Sequence, residues 1–309
     1  MRVEVQELKR YFGKTRAVDG ISFTVDGGHV FGFVGPNGAG KTTTLRILAS
    51  LDEPTGGDAL IGGVSVKEDP EKVRRQIGYV PDFLPAHADI TVHEYLDFFA
   101  RAYGFRGARR RAAVEGVEEF ARLTDLREKL LKQLSRGMKQ RVSLGRALVH
   151  DPPVLVMDEP AAGLDPRARV EFRELLSLLA EQDKAILISS HILTELTEVC
   201  NGVVIIEKGR LLRTGTLADI VSADTPVRTI TVRPMDNHEG VFKALLEMPR
   251  VNEVKRAAGK LLAEVEGTEA DCTNILSALV KQDFAIAEFG QIRDDLEDIF
   301  MRVTRGEVQ

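Results

Sequence analysis

Short apolar runs alternate with segments of helical spacing along the first 220 residues of the chain. Three runs are nearly continuous, as in strands buried on both faces of a parallel sheet, at 30–34, 154–157 and 185–189. Other runs predict strands at 3–8, 21–25, 59–61, 77–80, 203–206 and 210–212. Helical spacing predicts a helix that begins at 43, a helical region over 91–134, a helix from there to about 150 and a helix over 166–181. The pattern indicates an α/β fold with a mostly parallel core sheet, an antiparallel β flap and a helical insertion at about 90–150.

A second, smaller pattern follows the turn at 224–226. It predicts in order a strand at 229–232, a helix over 238–248, a hairpin around 258–260, a helix over 269–282, a strand at 284–287 and a final helix over 294–304. The order strand, helix, two strands, helix, strand is that of a small α+β ferredoxin-like domain. The sequence therefore predicts two domains, at 1–220 and 225–309.

Composition and charge support this division. The hydrophobic share of 43% and the charged share of 29% are typical of a soluble globular protein. Of the 42 basic and 47 acidic residues, 11 and 16 lie in 221–309, and this difference alone accounts for the net charge of −5. The acidic balance of the second domain argues against nucleic acid as a partner. The chain shows no signal peptide and no apolar run near the roughly 18 residues that span a bilayer, so a cytoplasmic location is expected.

The stretch 35–42 fits the pattern G-x-x-x-x-G-K-[ST] and lies between a predicted strand and a predicted helix. Its glycines allow the backbone N–H groups to curl around an anion, and the helix N-terminus adds partial positive charge. Lys41 can reach the β and γ phosphates, and the Thr42 hydroxyl is placed to bind Mg²⁺. A glycine-rich turn that matches by accident is the alternative, which the flanking elements disfavour. The predicted nucleotide-binding residues here are Gly35, Asn37, Gly38, Ala39, Gly40, Lys41, Thr42 and Thr43.

Two adjacent carboxylates follow the apolar run 154–157. Asp158 is placed to hold Mg²⁺, directly or through water, and Glu159 can polarise the attacking water as a general base. A simple helix cap is the alternative for such a pair, but the phosphate loop earlier in the chain favours catalysis. Together these motifs indicate a nucleotide-hydrolysing enzyme.

The eight residues from Leu134 to Arg141 indicate which class of nucleotide-hydrolysing enzyme this is. Residues 134–138 read LSRGM and resemble the LSGGQ motif of the ABC ATPases, the nucleotide-binding subunits of ATP-binding-cassette transporters, with Arg for the first Gly and Met for the Gln. The resemblance covers about 3–217 and implies the P-loop NTPase fold of ABC type. It also implies an Mg²⁺-dependent ATPase that works as a homodimer or heterodimer of head-to-tail cassettes.

The resemblance also implies functions for other residues. Ser135 and Gly137 would receive the γ-phosphate bound by the other cassette, and His191 would hydrogen-bond the γ-phosphate bound by its own. Residues 161–165 look like the D-loop, whose Asp165 would help to link the two sites. Phe12 takes the place of the aromatic residue that stacks on adenine, and Tyr11 is the second choice.

One position departs from the family pattern. The family usually has Gln where this chain has Asp82, in the zone where transporters form a groove for a helix of the membrane subunit. Asp82 could approach the metal, act only in coupling to the membrane subunit, or be a solvated loop carboxylate. We expect the coupling role because the shorter side chain needs a backbone shift to reach the metal.

The sequence thus predicts the ATP-hydrolysing subunit of an ABC transporter, of bacterial export type. It would bind an integral membrane permease at the cytoplasmic face of the inner membrane. Two other classes of protein fit the sequence less well. A soluble ABC ATPase that acts on DNA or ribosomes is disfavoured by the single cassette without coiled-coil heptads, and a phosphate-loop kinase is disfavoured by the LSRGM stretch followed by Asp158 and Glu159.

Overall fold

The computed structural model describes residues 1–84, 89–190, 196, 199–217, 220, 227–257 and 259–292. The described residues divide into two compact units, one that covers 1–217 and one that covers 220–292. In chain order, the elements of the first unit are β1 (Arg2–Phe12), β2 (Thr15–Asp26), β3 (Val30–Val34), α1 (Lys41–Leu48), β4 (Gly56–Ile61), β5 (Val64–Ser65), α2 (Pro70–Arg74), β6 (Ile77–Val80), α3 (Val92–Ala102), α4 (Gly107–Phe120), α5 (Arg136–Leu148), β7 (Val154–Met157), α6 (Pro166–Glu181), β8 (Ala185–Ser190), β9 (Gly202–Glu207) and β10 (Arg210–Thr216).

The central sheet of this unit has the strand order β10-β9-β3-β8-β7-β6. All neighbours pair in parallel except β10, which forms an antiparallel hairpin with β9. Every residue of β3, β7, β8 and β9 is buried, as their continuous apolar runs predict. The carboxyl ends of β3, β6, β7 and β8 therefore lie along one edge of the sheet.

A second, antiparallel sheet has the order β2-β1-β4-β5 and contains the flap predicted near 59–61. Its strands β1 and β2 extend beyond the predicted 3–8 and 21–25, and β1 includes Tyr11 and Phe12. Apolar side chains from both sheets meet in one buried cluster with α1, including Leu8, Ile21, Phe33, Leu45 and Val156. The flap and the central sheet thus share a core.

The predicted helical insertion consists of α3, α4 and two 3₁₀ turns, Thr124–Leu126 and Leu131–Gln133. A capping box at Thr91 and Glu94 begins α3. The sequence did not indicate that Glu118 of α4 is buried. Its Oε1 lies 2.7 Å from His93 Nδ1, and Arg127 lies near its other oxygen, so this carboxylate has polar partners inside the helical packing.

The second unit contains β11 (Val227–Pro234), α7 (His238–Leu246), β12 (Val251–Ala257), β13 (Lys260–Glu266), α8 (Glu269–Lys281) and β14 (Ile286–Ile292). The element order is the predicted one. The antiparallel sheet has the order β12-β13-β11-β14, which is the split β-α-β arrangement of a ferredoxin-like fold. Both helices pack against one buried cluster with the sheet. Both cysteines, Cys200 and Cys272, are buried, one in each unit.

The strand predicted at 284–287 was placed too early. The N–H of Phe284 donates to Leu279 O, and Asp283 adopts a left-handed φ of 59°, so the end of α8 turns before the strand begins at Ile286. Phe284 contributes to the core from this turn, which explains why it resembled a strand residue. The final helix predicted over 294–304 lies outside the described residues.

We expect a chain that ends at residue 224 to fold by itself, because the flap and central sheet share one buried cluster within Met1–Leu217. Circular dichroism should show one cooperative thermal transition for the truncated chain, with the full-length chain as the control. A soluble truncated chain that melts without cooperativity would contradict the division into domains.

Candidate functional site

The loop between β3 and α1 depends on its glycines for close backbone packing. A Cβ on Gly35 would lie 2.3 Å from Ile206 O, and one on Gly40 would lie 2.2 Å from Ala17 O. Gly40 also has a left-handed φ of 101°. The Ala39 N–H donates to Pro36 O at 3.1 Å, which closes the turn. These constraints position the loop at the N-terminus of α1.

The remaining predicted loop residues differ in their exposure. Asn37, Gly38 and Thr42 are exposed, whereas Thr43 is half-buried. The sequence did not single out Thr44, which is fully buried and whose hydroxyl donates to Gly40 O at 2.9 Å. Thr44 therefore supports the loop from inside the first turn of α1.

Lys41 lies within the loop with only 7% of its surface exposed. Its Nζ donates to Gly35 O at 2.7 Å and to Pro36 O at 3.3 Å. Burial lowers the pKa of Lys41, and the nearby charges of Glu159 and Asp158 oppose this shift. The structure thus holds an ammonium group at the centre of the predicted phosphate site.

The carboxylate of Asp158 is joined to the phosphate loop. Asp158 follows β7, is 4% exposed, and its Oδ1 accepts a hydrogen bond from the Thr42 hydroxyl at 3.2 Å. Its backbone N–H donates to Val80 O at 2.8 Å, which fixes the end of β7 against β6. The two residues predicted to bind the metal are therefore in contact.

Glu159 follows Asp158 in a left-handed conformation with φ of 48°, which residues with a Cβ rarely adopt. Its N–H donates to Ser189 Oγ at 2.9 Å, and the Ser189 hydroxyl also lies 2.6 Å from Asp158 Oδ1. The role of Ser189 was not predicted from the sequence. The available signal was a hydroxyl residue at the end of the otherwise apolar strand β8.

Asp82 lies beyond β6, the neighbour of β7, and its side chain is exposed. It is one of the groups that raise the pKa of Tyr79 on β6 to about 12, although burial and Asp158 contribute more. No hydrogen bond or ion pair of Asp82 is found within the described part of the chain. Its coupling role stays a prediction.

The residues of the LSRGM stretch form a separate group. Ser135 caps α5 and its Oγ accepts the N–H of Met138 at 3.3 Å, while Asp165 caps α6 by accepting the N–H of Ala168 at 2.9 Å. Gly137 packs closely on Ala168, because an added Cβ would lie 3.0 Å from the Ala168 Cβ. Among the described residues, no hydrogen bond joins this group to the phosphate loop.

Arg136, which replaces the first Gly of the family motif, packs on the predicted D-loop. A Cβ added to Gly163 would lie 2.6 Å from the Arg136 guanidinium. Gly163 also has a left-handed φ of 67°. The LSRGM stretch and the D-loop are therefore in contact within one chain. His191 lies outside the described residues, and its role stays a prediction.

The two aromatic candidates for adenine differ in their surroundings. The Tyr11 hydroxyl donates to Asp19 Oδ1 at 2.6 Å, and this hydrogen bond raises the pKa of Tyr11. Phe12 is 49% exposed at the end of β1, and the Arg10 guanidinium lies 4.5 Å from its ring centroid. Phe12 is therefore the more exposed of the two rings, with Arg10 over one of its faces.

Comparison with known proteins assigns the family. A family model described as "ABC transporter" matches residues 18–162. The chain is 35% identical to Nod factor export ATP-binding protein I of Paraburkholderia xenovorans, over 99% of this chain and 98% of that protein. It is 29% identical to linearmycin resistance ATP-binding protein LnrL of Bacillus subtilis, over 98% of each.

Solved structures give the same result. The ATP-binding subunit of an ABC transporter is 33% identical with a TM-score of 0.65, and the match covers 71% of this chain and 92% of that one. A dimeric ATP-binding cassette in a post-hydrolysis state, bound to ADP and Pi, is 26% identical with a TM-score of 0.62, over 70% of this chain and 98% of that one. Within the described residues, no helix is both long enough and apolar enough to cross a membrane.

We expect Phe12→Ala to weaken ATP binding by about 1–3 kcal/mol, the usual contribution of one aromatic ring stacked on a base. Titration of a fluorescent ATP analogue would measure it. Tyr11→Ala is the matched control and should have a smaller effect, because the Tyr11 hydroxyl is bound to Asp19. If the Phe12 variant binds ATP as tightly as the unaltered chain, adenine does not stack on Phe12 and must bind elsewhere.

Proposed function

The chain belongs to the ABC transporter family as an ATP-binding and ATP-hydrolysing subunit, and we propose that it powers export through an integral membrane permease. The names of its relatives support the direction of transport, since they include a Nod factor export protein and a linearmycin resistance protein. The transported compound is set by the permease in this proposal.

One observation carries the catalytic assignment. Lys41, the contact between Thr42 and Asp158, and the left-handed turn at Glu159 all lie where buried parallel strands end. In the proposed mechanism, Lys41 and the loop N–H groups bind the phosphates. Glu159 then accepts a proton from the attacking water as the bond to the γ-phosphate breaks. His191 is proposed to hydrogen-bond the γ-phosphate.

The oxygen atoms of Thr42 and Asp158 fit an Mg²⁺ ion. Mg²⁺ in nucleotide sites is usually held by one or two carboxylate or hydroxyl oxygens together with phosphates and water. The hydroxyl and the carboxylate are 3.2 Å apart, and Asp158 is nearly buried, so the donor set matches this chemistry. When bound, the ion would neutralise charge on the β and γ phosphates.

The cassettes are proposed to work in pairs. The capped N-terminus of α5, with Ser135 and Gly137, is a second anion receptor outside the phosphate loop. In a head-to-tail dimer it would contact the ATP held by the partner cassette, and Asp165 would link the two sites. The dimeric cassette among the structural neighbours supports this arrangement, and the partner can be a second copy or a related chain.

A surface for the permease is proposed around the start of the helical insertion. Phe83 and Phe98 are 68% and 62% exposed, and the Phe98 ring contacts Phe99. A cavity of about 180 Å³ nearby is lined by Leu51, Tyr79, Phe99, Tyr103 and Arg146, among other residues. An amphipathic helix of the permease would lie on this surface with an apolar side chain in the cavity, and the chain would then be peripheral at the cytoplasmic face of the membrane.

We expect Glu159→Gln to retain ATP binding but to lower turnover by ~10²-fold or more, the usual effect of losing a general base. It should also accumulate an ATP-bound dimer in size-exclusion chromatography. Lys41→Ala should abolish both nucleotide binding and dimerisation, because it removes the buried ammonium.

Glu181→Gln makes the same chemical change at an exposed position on α6 and is the control for Glu159. Phosphate release would be measured for all variants. Native turnover in Glu159→Gln would remove Glu159 from the mechanism.

We expect Asp82→Asn to leave the ATPase activity of the isolated subunit nearly unchanged and to reduce its stimulation by the permease. The physical reason is that Asp82 is exposed and that its charge acts on Tyr79, which lines the cavity described above. Asp125→Asn, at another exposed position, is the matched control. A large rise in the Mg²⁺ requirement of the isolated Asp82 variant would instead make Asp82 a metal-site residue.

A further inference from the structure

Ser189 is a fully buried hydroxyl residue near the carboxyl end of β8, a strand whose first four residues, 185–188, are all apolar. The strand lies between β3 and β7, and Ser189 pairs with Phe33 of β3. Ser189 therefore sits between the strand that leads to the phosphate loop and the strand that leads to the two carboxylates. Most buried hydroxyl groups in proteins are hydrogen-bonded, and that of Ser189 has two partners.

The direction of its two hydrogen bonds follows from the chemistry of the partners. The backbone N–H of Glu159 can only donate, so Ser189 Oγ accepts it at 2.9 Å. The single proton of the hydroxyl is then donated to Asp158 Oδ1 at 2.6 Å. One hydroxyl group thus binds two consecutive residues that have different proposed roles, the metal ligand and the general base.

The bond to Asp158 orients its carboxylate. The same Oδ1 also accepts a hydrogen bond from the Thr42 hydroxyl. Two hydroxyl groups, one on α1 and one on β8, therefore donate to this oxygen. Groups that hydrogen-bond a ligand carboxylate orient it and tune its affinity for the metal. Loss of the Ser189 hydroxyl leaves Thr42 as the remaining hydroxyl on this oxygen.

The bond to Glu159 holds a strained turn. A left-handed conformation is unfavourable for a glutamate and persists where surrounding contacts fix it. The Ser189 oxygen satisfies the N–H of this residue, and the Glu159 carbonyl accepts the N–H of Ala162 at 3.1 Å. Ser189 is thus one of the groups that keep the backbone of the proposed general base in place.

We propose that Ser189 is a positioning residue for ATP hydrolysis, which orients the Asp158 carboxylate and the Glu159 backbone together through one hydroxyl. The proposal rests on the roles proposed above for Asp158 and Glu159. Phosphate binding by Lys41 and the loop does not depend on it.

The test is Ser189→Ala in the full-length chain. Removing such a supporting group typically lowers metal affinity or activity by about 10–100-fold. We expect kcat to fall by this factor, and the affinity of the ATP complex for Mn²⁺, measured by electron paramagnetic resonance, to fall with it. ATP affinity without metal should stay within about twofold, because the loop and its lysine are unchanged. Ser189→Thr, which retains the hydroxyl, should recover part of the loss.

Ser143→Ala is the matched control. Ser143 of α5 is also fully buried, but its hydroxyl has no hydrogen-bond partner among the described residues, so the same change should leave kcat and Mn²⁺ affinity unaltered. A Ser189→Ala variant with a lowered melting temperature but native kcat and native Mn²⁺ affinity overturns the proposal, because the serine would then be structural only. Glu159→Gln measured in parallel separates the two proposals, since native turnover in that variant contradicts the general base whatever Ser189 does.

Discussion

The parallel pairing of β3, β8, β7 and β6 is the constraint on which the site depends. Val34 pairs with Ser190, Met157 with Ile188, and Val80 with Met157, so the four strands end along one edge of the sheet. Because almost every side chain of these strands is buried, a one-residue shift in register would turn each side chain to the opposite face and disrupt the packing on both faces, so it is strongly disfavoured. Residues far apart in the sequence are thereby held at hydrogen-bond distance, as Thr42 and Asp158 are.

The electrostatics of the site follow from this convergence. A buried ammonium and a nearly buried carboxylate are each unfavourable alone. Here the loop carbonyls, the Thr42 hydroxyl and the opposite charges share one region, and Glu159 and Asp158 counter the effect of burial on the pKa of Lys41. A change at any one of these groups therefore alters the environment of the others, and their contributions to catalysis should not add independently.

The sequence predicted the structure where apolar residues or motifs follow a pattern. It did not predict features that depend on the contacts of a single side chain. The apolar runs predicted the central strands, and the motif spacing predicted that Lys41, Thr42 and Asp158 belong to one site. Ser189 was not predicted, because one polar residue in an apolar run does not reveal whether it has a partner. Glu118 was not predicted, because a glutamate among other glutamates on a helix resembles an exposed residue. The start of β14 was misplaced because Phe284 is apolar in a turn as well as in a strand. The domain boundaries and the roles of Asp82, Asp165 and His191 stay predictions.

The contrast between buried strands and exposed loop ends has an evolutionary consequence. This chain departs from the family pattern at Asp82, Arg136 and Met138, of which the first two are exposed and the third is half-buried. Substitutions at exposed positions usually change folding stability by within about 0.5 kcal/mol, whereas truncations in a core cost about 2–5 kcal/mol. Selection can therefore vary the charge around the proposed nucleotide site and the proposed permease surface with little effect on the scaffold. A lineage can in this way acquire new transport behaviour while its ATP-driven core persists.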